Sequence, residues 1–285
     1  MVKPLPDSDF ILNPDGSIYH LNLKPGQVAE TVIAVGDPDR VQEISRHFDE
    51  VELRVRKREF VTHTGWYHGK RISVISTGMG TDNVEIFMTE LDALFNIDFS
   101  TRLPKNNLTR LTIIRVGTSG GMQGSLPAGS LLASSFALGL DTLMAFYQLP
   151  QTGEERSISQ LVKERLHLPF LPYCVRGSES LLERFSDLPR GITVTCPGFY
   201  GPQGRAVRLS LQIPEMISTL SELEVKPGFF SNFEMETAGY YAMGRLLGHD
   251  TLSLNAIVAN RISNRFSEAP EQVVEKLIAI VLEKM

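Results

Sequence analysis

The sequence predicts an α/β protein built around a mainly parallel β-sheet. Short β-branched runs, such as residues 32–35 and 111–114, are typical of strands that are buried on both faces. Segments with helical hydrophobic spacing separate these runs, and repeated alternation of strand and helix favours right-handed crossovers between parallel strands. The 285 residues are 42% hydrophobic and 21% charged, as expected for a folded globular protein with a large core.

The first half of the chain is predicted to alternate strands and helices after a leader rich in Pro and Asp. Four strands are predicted here: 32–35, 53–56, 60–67 and 72–77, of which 53–56 and 60–67 are expected to be antiparallel to each other. A helix over 41–48 follows the first strand. Gly78 to Gly80 then turns the chain into a second helix, which Thr81 or Asp82 can cap. The polar segment 98–110 contains proline and paired asparagines, which predicts an exposed loop.

The second half is predicted to continue the same alternation within a single domain. Four more strands are predicted: 111–114, 131–138, 191–196 and 251–258. Three helices are predicted: 214–223, 235–247 and 270–285. Residues 141–170 carry no clear period of either kind. The chain contains no Gly/Ser or Pro linker and no internal repeat, so we expect one domain.

Composition excludes several classes of function. The net charge of −5 gives no general attraction for nucleic acid, so a bound anion has to be held by local geometry. The two cysteines, Cys174 and Cys196, are expected to be buried thiols, and nothing near them has metal-ligand spacing. The N-terminus lacks a signal-like apolar region and no segment reaches membrane-spanning length, which predicts a cytoplasmic enzyme with no membrane partner.

Three arginines lie in turn-rich or glycine-rich contexts: Arg40, Arg58 and Arg115. A guanidinium fork binds an oxyanion bidentately, and glycine lets backbone N–H groups approach the same anion. Arg40 and Arg115 also follow predicted buried strands, and ligands of open α/β sheets bind at the carboxyl ends of strands. The alternative is that each arginine is a solvated surface charge. Their placement favours a pocket for phosphate.

Four motifs occur in the order and approximate spacing of the nucleoside phosphorylase-I family, and the chain resembles that family from about residue 18 to its end. The motifs are Val35-Gly36-Asp37-Pro38-Asp39-Arg40, Ser76-Thr77-Gly78-Met79-Gly80, Arg115-Val116-Gly117-Thr118-Ser119-Gly120 and Asn232-Phe233-Glu234-Met235-Glu236-Thr237-Ala238. The resemblance implies a single-domain, three-layer α/β fold with a central mixed, partly barrel-like sheet flanked by helices. Residues 1–17 are then an N-terminal leader and residues 18–285 the phosphorylase domain.

The same resemblance implies phosphorolysis, in which a nucleoside and inorganic phosphate give a free base and ribose 1-phosphate. No metal or cofactor is implied, and such enzymes are homo-oligomers, dimers or hexamers, with shared active sites. The loop 199–205 resembles the base-recognition loop of the uridine phosphorylases. A purine or broad-specificity phosphorylase and a catalytically silent nucleoside-binding protein are the alternatives. A nucleosidase that uses water is disfavoured, because it has no use for three phosphate-facing arginines.

Carried over by position, the motifs imply roles for individual residues. Phosphate is bound by Gly36, Arg40, Arg115 and Thr118, with Arg58 reaching it from a neighbouring subunit. Glu236 accepts hydrogen bonds from the ribose hydroxyls and Met235 packs against the sugar. His20 contacts the 5′-hydroxyl across a subunit interface. Arg115, Glu236 and Arg205 are the implied catalytic residues. Read without the resemblance, Glu236 is a stabilising carboxylate in the first turn of a helix.

The base is expected to be read by three residues of the loop 199–205. Gln203 offers a donor and an acceptor to the O2/N3 edge of uracil, while Arg205 donates toward O4. Phe199 supplies a stacking face or, alternatively, is a buried core aromatic. The alternative for Gln203 and Arg205 is a polar surface turn. Purine-specific relatives place a protonating Asp where this chain has Asn260, which favours a pyrimidine substrate.

Overall fold

A computed structural model describes residues 3–285 as thirteen strands and seven α-helices. The strands are β1 (Thr31–Val35), β2 (Glu50–Lys57), β3 (Phe60–Tyr67), β4 (Lys70–Ser76), β5 (Ile97–Asp98), β6 (Leu103–Pro104), β7 (Thr112–Gly121), β8 (Leu131–Gly139), β9 (Tyr173–Arg176), β10 (Arg190–Thr195), β11 (Phe230–Glu234), β12 (Asp250–Asn260) and β13 (Arg265–Phe266). The helices are α1 (Pro38–Ser45), α2 (Thr81–Asn96), α3 (Gly153–Arg165), α4 (Glu179–Arg184), α5 (Met216–Glu222), α6 (Thr237–Leu247) and α7 (Pro270–Glu283).

The central sheet is mixed and closes on itself in part. Strand β12 pairs with both β7 and β8, and the neighbours β8, β10, β11 and β7 complete a ring of five strands. From β7 the sheet continues outward through β1, β4, β3 and β2. The partly barrel-like sheet implied by the resemblance is therefore confirmed. The predicted antiparallel pair β2–β3 is confirmed. The mainly parallel sheet expected from alternation alone is wrong in part, because β3–β4, β7–β11 and β8–β12 are also antiparallel.

Strand β7 is the centre of the sheet and is much longer than the predicted strand 111–114. It pairs in parallel with β12 from Thr112 to Gly121. The glycine-rich run therefore lies within a strand, and the prediction that a loop follows residue 114 is wrong. The glycines leave room for neighbouring elements: a Cβ on Gly120 would lie 3.2 Å from the ring of Phe233.

Helices cover the sheet in three groups, each with its own cluster of buried apolar side chains. Helices α2 and α6 share the first cluster, α1, α4 and α7 the second, and α3 and α5 the third. Burial of one Leu, Ile or Phe side chain contributes roughly 1.5–3 kcal/mol, so these clusters hold the helices in place. Helices α2 and α6 approach closely where Gly239 lies against Thr81. Their N-termini consequently lie side by side.

Several elements were not predicted, and others were predicted correctly. The hairpin β2–β3, strands β8, β10 and β12, and helices α5 to α7 agree with prediction within a few residues. The region 141–170 contains α3, and strands β9 and β11 and helix α4 are also additions. The predicted loop 98–110 begins with the short antiparallel pair β5–β6. No helix within residues 3–285 is long and apolar enough to cross a membrane.

Candidate active site

The candidate site lies where strand ends and helix N-termini meet. Helices α1, α2 and α6 begin just after β1, β4 and β11, and β7 meets β11 at the carboxyl ends of both strands. Strands β1, β4, β7 and β12 run parallel, so their carboxyl ends share one edge of the sheet. Helix N-termini present unpaired N–H groups and a positive dipole end, which attract anions.

Arg115 is at the centre of this edge and is only 4% exposed. Its Nη2 lies 2.7 Å from an oxygen of Glu236 and 3.0 Å from one of Glu234. Its Nη1 donates to Ser253 Oγ and Asn255 Oδ1, each at 3.2 Å. Burial by itself lowers the pKa of Arg115, but the two carboxylates outweigh that effect and raise it. A permanent positive charge is therefore fixed in a region of low dielectric.

Gly117 makes this position of the guanidinium possible. The Arg115 side chain extends along β7 over Gly117. A Cβ on Gly117 would overlap the guanidinium, 2.6 Å from its Nη2. The glycine that suggested a loop in the sequence is thus a strand residue that makes space for its neighbour.

Gly117→Ala is expected to destabilise the protein by about 1–3 kcal/mol, because the added methyl group forces a buried, ion-paired side chain to move. The measurement is the free energy of unfolding by urea denaturation. Gly124→Ala is the matched control, since a Cβ on Gly124 has no atom within 4 Å. Equal stability of the two variants would contradict the crowding argument.

Glu234 organises the start of α6. Its carboxylate accepts from the backbone N–H of Glu236 at 3.0 Å and of Thr237 at 2.9 Å, and from Thr195 Oγ1 at 2.7 Å. The sequence placed both acidic residues at the start of a helix, but Glu234 ends β11 and the helix begins at Thr237. The first-turn role considered for Glu236 therefore belongs to Glu234, and Glu236 is left free for other partners.

Glu236 links α6 to the N-terminus of α2. Its Oε1 accepts from the backbone N–H of Gly80 at 2.9 Å. Gly80 has φ of 97°, a conformation that residues with a Cβ rarely adopt, and it is the N-cap of α2 with no side-chain cap. The predicted cap by Thr81 or Asp82 is therefore wrong: the carboxylate at this helix end comes from a distant part of the chain.

The pKa of Glu236 is shifted by its surroundings. Burial raises the pKa of the Glu236 carboxyl above its usual 4.5, Arg115 opposes that shift, and the nearby charge of Glu234 adds to it. The net direction is upward. Ionisation of this carboxyl is therefore less favourable than in water, and hydrogen bonds from the hydroxyl groups of a ligand stabilise the ionised form.

Arg40 lies close enough to Arg115 for the positive charge of Arg115 to act on it. It lies in α1 just after Gly36, and its Nε is buried without a hydrogen-bond partner in the described part of the chain. Burial lowers the pKa of Arg40, and the positive charge of Arg115 lowers it further. A buried guanidinium N–H without an acceptor is costly, and a bound oxyanion removes that cost. Thr118 is half-buried on β7, three residues beyond Arg115.

Arg58 and His20 are not brought to this cluster within one chain. Arg58 is exposed in the turn between β2 and β3, with φ of 55°, and bonds to no other residue of 3–285. His20 Nδ1 lies 2.6 Å from Glu90 on α2. Glu90 is ten residues beyond Gly80, roughly 15 Å along the helix. The contacts of Arg58 and His20 with the site of a neighbouring subunit remain predictions.

Phe199, Gln203 and Arg205 do come together. Gln203 is only 3% exposed, and its Oε1 accepts from Arg205 Nη1 at 2.7 Å. The same Nη1 donates to the carbonyl of Phe199 at 2.6 Å, and the guanidinium lies 3.8 Å from the centre of the Phe199 ring. Because Gln203 is buried and Phe199 is 51% exposed, neither the surface-turn nor the core-aromatic alternative describes them.

Arg261 supports this loop and was missed in the sequence. Its Nη1 and Nη2 donate to the carbonyls of Gln203 and Gly204, at 2.9 and 3.2 Å. The neighbouring Asn260 donates to the carbonyl of Gln123 at 2.8 Å and accepts from two backbone amides, so its side chain serves the local fold. The available signal was the position of Arg261, directly after the asparagine singled out in the sequence.

The loop and the charged cluster adjoin each other. Thr195, which ends β10, bonds to the carboxylate of Glu234, and the loop begins a few residues later. Cys196 lies between the two: burial raises the pKa of its thiol, Glu234 raises it further and Arg205 lowers it. The site therefore combines arginines at helix N-termini, a pair of buried carboxylates and a polar, partly aromatic end. Within residues 3–285, no group of three His, Cys, Asp or Glu residues is placed to hold a metal.

Comparison with known proteins gives consistent similarities. Residues 30–284 match the phosphorylase superfamily. The chain is 31% identical over 275 residues to the uridine phosphorylase of Thermococcus kodakarensis, covering 95% of this chain and 88% of that protein. A shorter stretch of 114 residues, 40% of this chain and 43% of the relative, is 38% identical to a DeoD-type purine nucleoside phosphorylase of Clostridium perfringens.

The fold has a similar solved structure over nearly its whole length. A Trypanosoma brucei nucleoside phosphorylase, whose crystal structure is described as showing uridine phosphorylase activity, superposes with a TM-score of 0.91. It is 27% identical, and the match covers 97% of this chain and 99% of that one.

Proposed function

The chain belongs to the phosphorylase superfamily, and from this premise we propose that it is a uridine phosphorylase that reversibly converts uridine and phosphate to uracil and ribose 1-phosphate. The observation that carries the proposal is that two sets of side chains lie next to each other at one edge of the sheet. The Arg115–Glu236 pair suits phosphate and ribose, and the buried Gln203 with Arg205 suits the polar edge of a pyrimidine.

Phosphate is the nucleophile in this proposal, and four residues hold it beneath the sugar: Gly36, Arg40, Arg115 and Thr118. The unpartnered Nε of Arg40 supports this assignment. No covalent enzyme residue is needed, because holding the anion near the anomeric carbon supplies the proximity. Glu236 accepts hydrogen bonds from the ribose hydroxyls, and Met235 packs against the sugar.

Bond exchange at the anomeric carbon creates charge that the site can stabilise. The bond between the sugar and the base nitrogen breaks with its electron pair moving to uracil, while a phosphate oxygen bonds to the same carbon. The sugar is oxocarbenium-like in between, and the phosphate anion stabilises it. Gln203 and Arg205 stabilise the negative charge on the departing base, with Phe199 against its ring.

The proposal includes a homo-oligomer, a dimer or a hexamer, in which a neighbouring copy completes each site. Arg58 of the neighbour contacts phosphate and His20 of the neighbour contacts the 5′-hydroxyl. The exposure of Arg58 and the distance of His20 from Gly80 along α2 support this arrangement. A broad-specificity or purine phosphorylase is the second candidate, favoured by the similarity to the Clostridium perfringens protein.

The test is base release from uridine, thymidine and inosine, each with and without phosphate. Release of uracil that depends on phosphate is the expected result. Preference for inosine would establish the second candidate instead. Release without phosphate would indicate a nucleosidase, and saturable binding without turnover would indicate a nucleoside-binding protein.

Gln203→Ala is expected to lower kcat/KM for uridine about tenfold or more, because it removes the hydrogen bonds to the base. Any activity on inosine should fall much less, since a purine lacks the uracil imide edge. Steady-state kinetics on both substrates is the measurement. Gln160→Ala, on the exposed face of α3, is the control and should leave both values unchanged. Equal losses on the two substrates would count against base reading by Gln203.

A further inference from the structure

A cavity lies next to the loop 199–205, outside the cluster around Arg115. It has a volume of about 740 Å³ and lies between segment 197–213 and a floor that includes Leu168, Phe170 and Met216. We refer to it as the loop cavity. Its volume is within the range of small-molecule sites, roughly 300–1,000 Å³, and most of its lining is apolar. Of the residues that line it, only Arg205 has a role in the proposed reaction.

The charged groups of the loop cavity are both positive. Arg205 and Arg208 line it, and no Asp or Glu does. Neither arginine forms an ion pair within residues 3–285. Arg205 uses only Nη1 for the loop, through its bonds to Phe199 and Gln203, so its Nη2 and Nε donate to no described protein atom. An anion is the ligand that satisfies such guanidinium edges.

The rim of the loop cavity is also incompletely covered. Val207 is 82% exposed and Leu209 is 73% exposed, on either side of Arg208. Apolar side chains next to an unpaired guanidinium fit a ligand that has an apolar body and one negative group.

We infer that the loop cavity binds an aromatic carboxylate. Its rings lie against Leu168, Phe170 and Met216, and its carboxylate lies between Arg205 and Arg208. Arg205 is shared with the base site. A bound anion therefore competes with the base for the Nη2 and Nε groups of Arg205 and weakens uridine binding. Binding itself is independent of the proposed function, whereas this effect on uridine rests on it.

The probe is biphenyl-4-carboxylate, measured by isothermal titration calorimetry on the full chain. At ordinary contact efficiency its ~15 non-hydrogen atoms correspond to a Kd of about 0.5 mM. Biphenyl-4-methanol, which has the rings without the charge, and citrate, which has charge without rings, should both bind much more weakly. Equal affinity for the neutral analogue, or no binding of the carboxylate at 10-fold higher concentration (~5 mM), would overturn the inference.

Arg208→Gln is the diagnostic variant and should weaken binding of the carboxylate about tenfold, through loss of a charge-assisted hydrogen bond. Arg208 is exposed and outside the proposed reaction, so folding and basal activity should be unchanged. Arg165→Gln, on the surface of α3, is the matched control. Unchanged affinity in Arg208→Gln would also overturn the inference.

Kinetics separates this inference from the proposed function. With the carboxylate present at its Kd, the apparent KM for uridine should about double while kcat stays constant, as for two ligands that exclude each other. If the protein does not cleave uridine but still binds the carboxylate through Arg208, the proposed function fails and the cavity site stands. If it cleaves uridine but does not bind the carboxylate, the reverse holds.

Discussion

Arg115→Gln is expected to lower kcat/KM for phosphate about 100-fold or more and to destabilise the protein by about 3–5 kcal/mol. The first effect follows from the loss of a buried positive charge next to the proposed phosphate position. The second arises because Glu234 and Glu236 lose the positive charge that both of them contact. Two buried carboxylates then repel each other without compensation. Phosphate-dependent kinetics and urea denaturation at pH 8 are the measurements.

The pH dependence of this variant distinguishes charge from shape. Without Arg115 the Glu236 pKa, already raised by burial, rises further, so protonation of Glu236 relieves the repulsion as the pH falls. The stability difference between variant and wild type should therefore shrink from pH 8 to pH 5. Arg46→Gln, which breaks an exposed pair with Glu275, is the control and should cost at most about 1 kcal/mol. A wild-type KM for phosphate in Arg115→Gln would remove Arg115 from the phosphate site.

Glu236→Gln is expected to lower kcat/KM for uridine about 100-fold or more while destabilising the protein by only about 1 kcal/mol. The amide oxygen can still accept from the Gly80 N–H, whereas the amide NH2 then faces Arg115 and that hydrogen bond is lost. Arg115 keeps its ion pair with Glu234, and removal of one of two neighbouring negative charges offsets part of the loss. The loss of activity arises instead from the charge-assisted hydrogen bonds to the ribose hydroxyls. Enzyme kinetics together with thermal unfolding is the measurement.

The matched control is Glu234→Gln, which changes the neighbouring carboxylate in the same way. Glu234 accepts from two backbone amides and from Thr195, and the single oxygen of Gln cannot replace all of these bonds. This variant should lose about 1–3 kcal/mol of stability. If Glu236→Gln were the less stable of the two, the roles assigned to the two residues would have to be exchanged.

The acid side of the pH profile provides a further check on Glu236. The ionised carboxylate is the form that accepts from the ribose hydroxyls, and its pKa is raised above 4.5. Activity, corrected for the change in phosphate ionisation, should therefore fall as the pH is lowered. The fall should begin at a higher pH than it would with a carboxylate of ordinary pKa. Glu236→Gln should lack this limb of the profile. Retention of the limb in the variant would assign the titration to another group.

The sequence was informative wherever the signal was local. The β-branched runs predicted the buried strands β1 and β4 and the start of β7, and the alternation of strands and turns predicted the hairpin β2–β3. Helix α3 had a local signal that was missed: Thr152 and Glu155 form a capping box at its start. Strand β11 is only five residues long and contains polar residues, so its pattern could not be distinguished from a loop.

The glycines show where local reasoning failed. In the sequence, the run 117–121 has the composition of a turn, whereas in the structure it is the end of the central strand. The reason is tertiary: β12 pairs with this run along its length, and the Arg115 side chain occupies the space that a Cβ on Gly117 would take. Composition records that a side chain is absent, but not which neighbour requires the space.

The polar residues of β12 are a second case. Ser253 and Asn255 interrupt an apolar run in the sequence, with the period of two that marks one face of a strand. That alternation was a signal for a buried polar contact, although nothing local identified the partner. In the structure both residues bind Nη1 of Arg115.

By itself, the amino-acid sequence determined most of the strands and helices, and its motifs supplied the resemblance and the candidate residues. The tertiary structure decided how those residues combine: it joins Arg115 to Glu236 across 121 positions and separates the roles of Glu234 and Glu236. It also anchors the base loop through Arg261. The physical reason is that periodicity and capping act within a few residues. The distances between charged groups depend instead on which strands pair and where helices begin relative to one another.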